Sequence, residues 1–396
     1  MKSKLFILIL LVTTSLFAQR SPESIKTKKI GTRTFTVVTP PSYESNPGKK
    51  YPTLVILDGD YLLDPFEGVI KYGNYWDDLP EMIIIAINQG NEEMRYTDSK
   101  FDEAGLPSGS GADFFEFIGA ELYPYIEAKY RTLPFRIIAG HDTTAGFLNF
   151  YLYKDNPVFN AYISLAPEMA PEMEVRVAAR LAKITKPLYY YQATGEADLQ
   201  EINENADALD TNIKAIQNPS FKYHNDAFAG ASHYSLVAKA IPNALYFIFD
   251  GYQPISMIEF QTKIVKLESG YTDYLINKYD DINTKLGLQI KPRLSDFKAI
   301  EAAIMKNKAY GEFQTLSNYA NKIYPKTTLG TYHQAMYFEK TGNYKKAIKE
   351  YQKSFTLEAI RELTKDLMMN RAEALKGKDE KPADVIEEAP ADTPTE

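Results

Sequence analysis

The stretch Arg136-Ile-Ile-Ala-Gly-His-Asp-Thr-Thr-Ala-Gly146 decides the fold of this chain. A short apolar run leads into a glycine, and residues 145–153 continue with helical character. The pattern predicts a buried strand, a tight turn and a helix. A side chain at the centre of such a turn projects at a helix N-terminus, where spare backbone N–H groups can hold an anion. Asp142 occupies that position, and the function depends on what an aspartate does there.

Further strands surround this stretch. Continuous β-branched runs, typical of strands buried on both faces of a mostly parallel sheet, occupy residues 51–57 and 82–87. Residues 159–166 and 186–193 predict two more strands, and residues 222–228 predict the last one. Helical patterns at 113–130 and 235–249 alternate with them, which indicates the α/β class. Residues 29–40 alternate polar and apolar side chains, and they predict a half-exposed strand at an edge of the sheet.

Composition excludes several functions. The chain has 396 residues, 44% of them hydrophobic, which suits one large domain and a second, smaller one. A net charge of -7 without a long basic run argues against nucleic-acid binding. There is no cysteine, so disulfides, thiolate nucleophiles and thiolate metal sites are excluded. We expect no metal and no cofactor.

The N-terminus has the pattern of an export signal. Lys2 and Lys4 precede the apolar run 5–12, and Ser15-Leu-Phe-Ala18 follows, which indicates a signal peptide over 1–18. The run is shorter than the roughly 20 apolar residues of a membrane-spanning helix. We therefore expect a periplasmic or secreted protein that does not span the membrane after cleavage. An uncleaved membrane anchor is the alternative.

The C-terminal part of the chain has a different residue pattern. From about Ser256 the β-branched runs end, and residues 256–375 predict an all-helical domain. Within it, residues 332–355 resemble one tetratricopeptide (TPR) repeat, with a turn at Gly342-Asn343 between two antiparallel helices. An ordinary helical extension is the alternative. Residues 376–396 predict a disordered acidic tail.

Six stretches occur in an order that identifies a family. They are Tyr51-Pro to Leu57-Asp-Gly-Asp60, Arg95-Tyr-Thr-Asp98, Gly109-Ser-Gly-Ala-Asp to Tyr130-Arg-Thr, Arg136 to His141, Phe159 to Pro167, and the loop around His233. Together they resemble the esterase D and enterochelin-esterase-like family of α/β-hydrolases. The resemblance implies an α/β-hydrolase domain over 19–255. It also implies a Gly-x-Ser-x-Gly turn, but here Asp142 replaces the serine and Thr144 replaces the second glycine.

The resemblance also implies the remaining catalytic positions. Asp142 would stand at the nucleophile position and His233 would be the base. Asp198 is preferred as the acid over Glu196, and a merely turn-stabilising aspartate is the alternative. The oxyanion hole would use the backbone N–H of Thr143.

A second oxyanion N–H would come from the loop after the first buried strand, at Gly59 or Asp60. Tyr61 and Trp76 follow this loop and could stack on a small-molecule or carbohydrate-like ligand. Simple packing of these aromatic rings is the alternative.

An aspartate cannot simply replace the serine. Attack of its carboxylate on an ester would give an anhydride, a poor intermediate for hydrolysis. The related haloalkane dehalogenases and epoxide hydrolases use aspartate on saturated carbon, but this chain has no separate cap insertion between residues 159 and 186. Carboxylates on both sides would also favour the charged form of His233, which is not a base. Alternatively, the Asp142 side chain caps the helix by accepting from the N–H of Thr144 or Ala145.

Three functional hypotheses follow. The first is an exported, catalytically degenerate esterase-like protein that binds a ligand or a partner. The second is an active hydrolase in which Asp142 is the nucleophile or activates water. The third is a subunit of an envelope assembly that binds protein partners through residues 256–375. In the first two, Asp142, Asp198 and His233 should converge, because their loops follow the carboxyl ends of parallel strands.

Overall fold

The computed structural model describes residues 19–379. The predicted signal peptide 1–18 and residues from 380 on lie outside the described residues. The chain forms two compact units: one runs to Gln253 and includes Ile282–Gln289, and the other comprises Pro254–Asp281 and the residues from Ile290 on. The first break lies close to the boundary predicted after residue 255, whereas the segment Ile282–Gln289 had no signal in the sequence.

An eight-stranded sheet organises the first unit. Its strands are β1 (Gln19–Lys26), β2 (Thr32–Thr39), β3 (Tyr51–Ile56), β4 (Ile83–Ile87), β5 (Thr132–His141), β6 (Ala161–Leu165), β7 (Leu188–Ala197) and β8 (Phe221–Ser232). Their order is β1-β2-β4-β3-β5-β6-β7-β8, and every pair from β4 to β8 is parallel. The predicted α/β architecture is therefore confirmed.

The first two strands run antiparallel to their neighbours. The prediction that residues 29–40 form the edge strand was wrong, because β1 pairs with β2 along its whole length and takes the edge itself. The β1 sequence is mostly polar, and its alternate residues are exposed. Such a strand lacks the apolar signal that identified the others.

Helices cover both faces of this sheet. They are α1 (Gly59–Tyr75), α2 (Glu92–Asp98), α3 (Ser110–Glu116), α4 (Tyr123–Lys129), α5 (Thr143–Leu148), α6 (Met173–Leu181), α7 (Gln200–Lys214) and α8 (Ser235–Ile248). Val55 and Leu57 join a core cluster with side chains of α3 to α7, whereas Leu54 and Ile56 point to the other face. Helices α1 and α8 contact each other and the sheet. The predicted helix 113–130 is interrupted by a π-helical turn at Phe117–Leu122.

The second unit is all-helical. Its helices are α9 (Met257–Thr262), α10 (Tyr271–Leu286), α11 (Leu294–Lys306), α12 (Glu312–Ile323), α13 (Thr328–Lys340), α14 (Tyr344–Gln352) and α15 (Lys365–Asp379). The end of α10, from Ile282 on, is counted with the first unit. From α12 on, each helix packs against the next in the chain. The turn expected at Gly342-Asn343 is present, with Gly342 at φ 81° and the Asn343 side chain accepting from the Lys346 N–H. Helix α15 extends to Asp379, so the tail predicted from residue 376 begins inside a helix.

Within residues 19–379, no helix is long and apolar enough to cross a membrane.

Helix α5, which follows β5, packs so closely against the backbone after β6 that only glycine fits at position 146. A Cβ atom added to Gly146 would lie 1.7 Å from the carbonyl oxygen of Glu168. We predict that Gly146→Ala destabilises the first unit by about 3 kcal/mol, because the backbone after β6 must move away. Chemical denaturation measures this change.

Gly68→Ala is the matched control. Gly68 lies inside α1, where an added Cβ meets no atom within 4 Å. This variant should gain about 0.5 to 1 kcal/mol from the better helix propensity of alanine. Equal effects of the two substitutions would contradict the packing role of Gly146.

Candidate active site

The turn between β5 and α5 adopts the strained geometry expected of a nucleophile position. Asp142 has φ 63° and ψ -126°, a conformation that non-glycine residues rarely adopt. Its N–H donates to Leu165 at 2.9 Å, and its carbonyl accepts from the N–H groups of Ala145 and Gly146 at 3.0 and 3.1 Å. Such strain is of order 1 to 3 kcal/mol and persists where the surrounding structure over-determines it.

The side chain of Asp142 does not cap the helix. No described backbone N–H of α5 donates to its carboxylate, so the capping role considered from the sequence is wrong. The carboxylate is 21% exposed. The turn directs it out of the protein core rather than back onto the helix.

Thr144 does not disturb this turn. Thr144, which replaces the second glycine of the turn pattern, lies inside α5, and the tight turn itself is made by Asp142. Its buried hydroxyl donates to the carboxylate of Asp58 at 2.6 Å and accepts from the N–H of His141 at 3.0 Å. The hydroxyl therefore has partners that a glycine could not provide.

A histidine–aspartate pair lies beside the turn. Nδ1 of His233 is 2.8 Å from Oδ1 of Asp198, whose side chain is fully buried. The pairing of β7 with β8 brings them together, because it extends past a bulge to place Ala197 beside Ser232. Gly195 permits this approach, since a Cβ there would lie 2.6 Å from the carbonyl oxygen of Ala231.

Glu196, the alternative acid, does not reach His233. Its carboxylate accepts a hydrogen bond from the N–H of Gly230 at 2.8 Å and so fixes the end of β8. Of the two carboxylates that the sequence offered, Asp198 is the one paired with the histidine.

Asp142 completes the convergence at a longer distance. Nε2 of His233 is 3.7 Å from Oδ1 of Asp142, and Nη2 of Arg95 is 3.6 Å from Oδ2. Both distances suit charge attraction but exceed a hydrogen bond. The three groups thus meet as the sequence led us to expect, with the imidazole between two carboxylates.

A buried network that the sequence did not reveal lies behind the turn. The carboxylate of Asp58 accepts from Nε of Arg95 at 2.6 Å and from the hydroxyl of Tyr61 at 3.1 Å. Burial raises the pKa of Asp58, and the Arg95 guanidinium opposes this shift. The matching stretches around residues 57–60 and 95–98 contained both residues, but nothing in their spacing indicated that they would pair.

His141 belongs to the same network. Its Nε2 donates to the carbonyl of His233 at 3.0 Å, and its Nδ1 is 3.0 Å from the hydroxyl of Tyr61. Burial, followed by the charge of His233, lowers its pKa from 6.5 to about 4. The imidazole of His141 is therefore neutral at physiological pH, and its hydrogen bond holds the backbone carbonyl of His233 in place.

The predicted oxyanion donors lie at two helix N-termini. Thr143 opens α5 directly after Asp142, and Gly59 and Asp60 open α1 after β3. The first N–H groups of a helix have no acceptor in a preceding turn, so they remain available to an anion. The side chain of Asp60 is itself an acceptor, for the N–H groups of Gln89 and Gly90 at 2.8 and 3.0 Å.

The two proposed ligand-stacking residues do not come together. Tyr61 lies in the first turn of α1 and contacts His141, whereas Trp76 follows its last residue. A helix of 17 residues spans about 25 Å, so the two rings lie at opposite ends. The indole of Trp76 packs against Tyr75 and is 58% exposed.

An open cleft of about 1000 Å³ reaches Asp142 and His233. Neither Tyr61 nor Trp76 lines it; its aromatic residues are Tyr96, Phe101 and Tyr234. Glu168, which follows β6, also lines it and was not recognised from the sequence. Burial raises the pKa of Glu168, and the nearby charge of Asp142 raises it further. No group of three or more His, Asp or Glu side chains among residues 19–379 could hold a metal ion.

The sheet, the strained turn and the histidine–aspartate pair define the class as an α/β-hydrolase fold. The esterase family model matches residues 28–245, more than half of the chain, so the protein belongs to the esterase family.

Solved structures share this fold. An uncharacterised protein from Capnocytophaga ochracea is 29% identical with a TM-score of 0.82, and the match covers 91% of this chain and 100% of that one. An IroE-like serine hydrolase from Shewanella oneidensis is 17% identical with a TM-score of 0.59, over 77% and 99% of the two chains. The BES protein from Bacillus cereus is 18% identical with a TM-score of 0.51, over 62% and 97%. The last two likenesses show the fold alone. A search of curated proteins finds no match.

The neutral, buried state of His141 predicts a pH dependence of stability. The folded pKa lies below the ordinary value, so between pH 6.5 and 4 the unfolded chain binds the proton that the folded protein excludes. Stability from this group is complete above pH 6.5 and is lost as the pH falls towards 4.

We expect the wild type to lose about 2 to 3 kcal/mol more than His141→Gln between pH 7.5 and 4.5, measured by denaturation at each pH. NMR titration provides the direct check. An imidazole of His141 that takes up its proton near pH 6.5 would overturn this assignment.

Proposed function

We propose that this protein is a catalytically degenerate member of the esterase family that binds a ligand in the cleft at Asp142. One observation carries the proposal: a carboxylate stands at the nucleophile position, while the strained turn, the His233–Asp198 pair and an open cleft are all present. The site has the shape of an esterase site without its nucleophile.

The chemistry of the carboxylate supports binding over acyl transfer. A serine becomes a nucleophile when histidine removes its proton, but Asp142 has no such proton to lose. Its attack on an ester would give an anhydride, which retains an activated acyl group instead of releasing it. Its negative charge also lies beside the predicted oxyanion donors and repels the charge that develops during acyl transfer.

An active hydrolase that uses Asp142 is the second candidate. The openness of the cleft favours it, because substrate can reach both Asp142 and His233. An alkyl substrate such as an epoxide would then form an ester with the carboxylate, and water activated by His233 would cleave it. Between β6 and β7 the chain contributes α6 but no separate cap domain to supply an electrophile.

Restoring the serine tests the leading proposal. Wild-type protein should not hydrolyse p-nitrophenyl acetate above a denatured control, whereas Asp142→Ser should gain at least about 100-fold, because His233 and Asp198 are already placed as base and acid. The double variant Asp142→Ser/His233→Ala should lose that gain. Both variants are first compared with the wild type by circular dichroism.

Two outcomes would contradict the proposal. One is wild-type ester hydrolysis that disappears in Asp142→Ala. The other is a covalent adduct on Asp142 after incubation with styrene oxide, trapped in His233→Ala and detected by intact mass spectrometry, which would favour the active hydrolase. A folded but inactive Asp142→Ser variant would mean that the inherited machinery is not intact.

We also propose that the protein acts outside the cytoplasm, on the strength of the signal-like pattern of residues 1–18. Expressed in a Gram-negative host, the mature protein should begin at Gln19 and be recovered from the periplasm or the medium. N-terminal mass analysis of the purified chain checks this. An intact Met1 in a cytoplasmic fraction would exclude it.

A further inference from the structure

The cleft at Asp142 has an unusual charge. Five carboxylates line it: Asp142, Glu168, Glu172, Glu174 and Glu201. Its lining contains no lysine or arginine, and His233 is its only other titratable group apart from two tyrosines. Five carboxylates along one cleft create a negative potential that repels anions and attracts cations.

The neighbouring arginines neutralise only part of this charge. Arg95 donates to Asp58 at 2.6 Å and to Glu92 at 3.1 Å, and it lies 3.6 Å from Asp142. Arg176 pairs with Glu172 at 2.8 Å.

The other three carboxylates, Glu168, Glu174 and Glu201, form no ion pair with a residue in the described part of the chain. The negative charges of Asp142 and then of Glu168 raise the pKa of Tyr96, whose ring lines the same cleft.

The uncharged lining suits an organic molecule. Tyr96 and Tyr234 are exposed and carry ring faces that attract cations. The ring of Tyr234 packs edge-on against His233 with 5.1 Å between centroids, so it stands at the entrance to the site. Met169, Pro171 and Ile202 add apolar surface. A ligand with a positively charged group and an apolar body can contact the carboxylates with its charge and the apolar side chains with its body.

A metal ion fits this cleft less well than an organic cation. A hard cation needs several oxygen ligands at about 2.0 to 2.6 Å around one point. The carboxylates here are spread along the cleft, and within residues 19–379 no three acidic or histidine side chains are close enough together to serve. Separated carboxylates and aromatic rings instead match an organic ammonium group, which needs no tight shell of oxygen ligands around one point.

We propose that the cleft binds a small organic cation, an ammonium carried on an aromatic or aliphatic body, with the ammonium placed between Asp142 and Glu168. This inference rests on the proposed binding function and names its ligand class. It assigns a role to the aspartate at the nucleophile position: the carboxylate is the counter-ion of the ligand. The same charge makes the cleft a poor site for carboxylate or phosphate ligands.

A series of three probes with the same ring tests the charge preference on the full-length mature protein. Benzylammonium, benzyl alcohol and benzoate carry positive, zero and negative charge. Titration followed by NMR should show benzylammonium binding about tenfold more tightly than benzyl alcohol, and benzoate more weakly than both, since each charge interacts with several carboxylates. The preference should shrink at high salt, because the cleft is open to solvent.

Three variants locate the interaction. Asp142→Asn and Glu168→Gln should each weaken benzylammonium binding by about fivefold to tenfold and leave benzyl alcohol unchanged. Asparagine has nearly the size and shape of aspartate, and the hydrogen bonds that fix residue 142 are made by its backbone, so we expect folding to be preserved. Glu44→Gln is the control, because it removes one exposed carboxylate in the loop before β3, at the opposite edge of the sheet.

Equal affinity for the three probes, tighter binding of benzoate, or loss of affinity in Glu44→Gln equal to that in Glu168→Gln would overturn the inference. Its failure is distinguishable from failure of the proposed function. If Asp142→Ser gains esterase activity while the probes show no charge preference, only the ligand class is wrong. If Asp142→Ser stays inactive and the probes bind as expected, only the inherited esterase machinery is wrong.

Discussion

The buried carboxylate of Asp58 is the interaction on which the site depends. It lies directly after β3 with φ 55°, a left-handed conformation, and accepts from Arg95, Thr144 and Tyr61. These residues belong to three different helices, α2, α5 and α1. A buried charge is tolerated only when it is paired and hydrogen-bonded, so the position of each helix is constrained by the same two oxygen atoms. The strained turn at Asp142 is held against this fixed centre.

The network also shows that two departures from the Gly-x-Ser-x-Gly pattern have different consequences. The sequence has aspartate in place of serine at position 142 and threonine in place of glycine at position 144. In the structure the hydroxyl of Thr144 satisfies Asp58 and the N–H of His141, so threonine contributes to the scaffold. Asp142, in contrast, forms no hydrogen bond through its side chain with any residue of the described chain. Only the change at position 142 bears on the chemistry.

The sequence predicted those features that follow from strand patterning, and it missed those that depend on distance across the fold. The strand patterns located β3 to β8, and parallel strands necessarily bring the loops of Asp142, Asp198 and His233 to one edge. The mostly polar β1 gave no comparable signal. The pairing of Asp58 with Arg95 and the position of Glu168 in the cleft arise from tertiary packing. Trp76 seemed close to Tyr61 in the sequence, yet the length of α1 separates them.

The absence of side-chain hydrogen bonds to Asp142 bears on why an aspartate stands there. Its backbone is fixed by four hydrogen bonds, from its own N–H to Leu165 and to its carbonyl from Ala145, Gly146 and Glu168. None of these depends on the identity of the side chain, so the fold can hold serine or aspartate in the same turn. These backbone hydrogen bonds therefore do not select the carboxylate. Among the described residues that line the cleft, Asp142 is the carboxylate that lies beside His233, and the proposed binding of a cation gives that carboxylate a function.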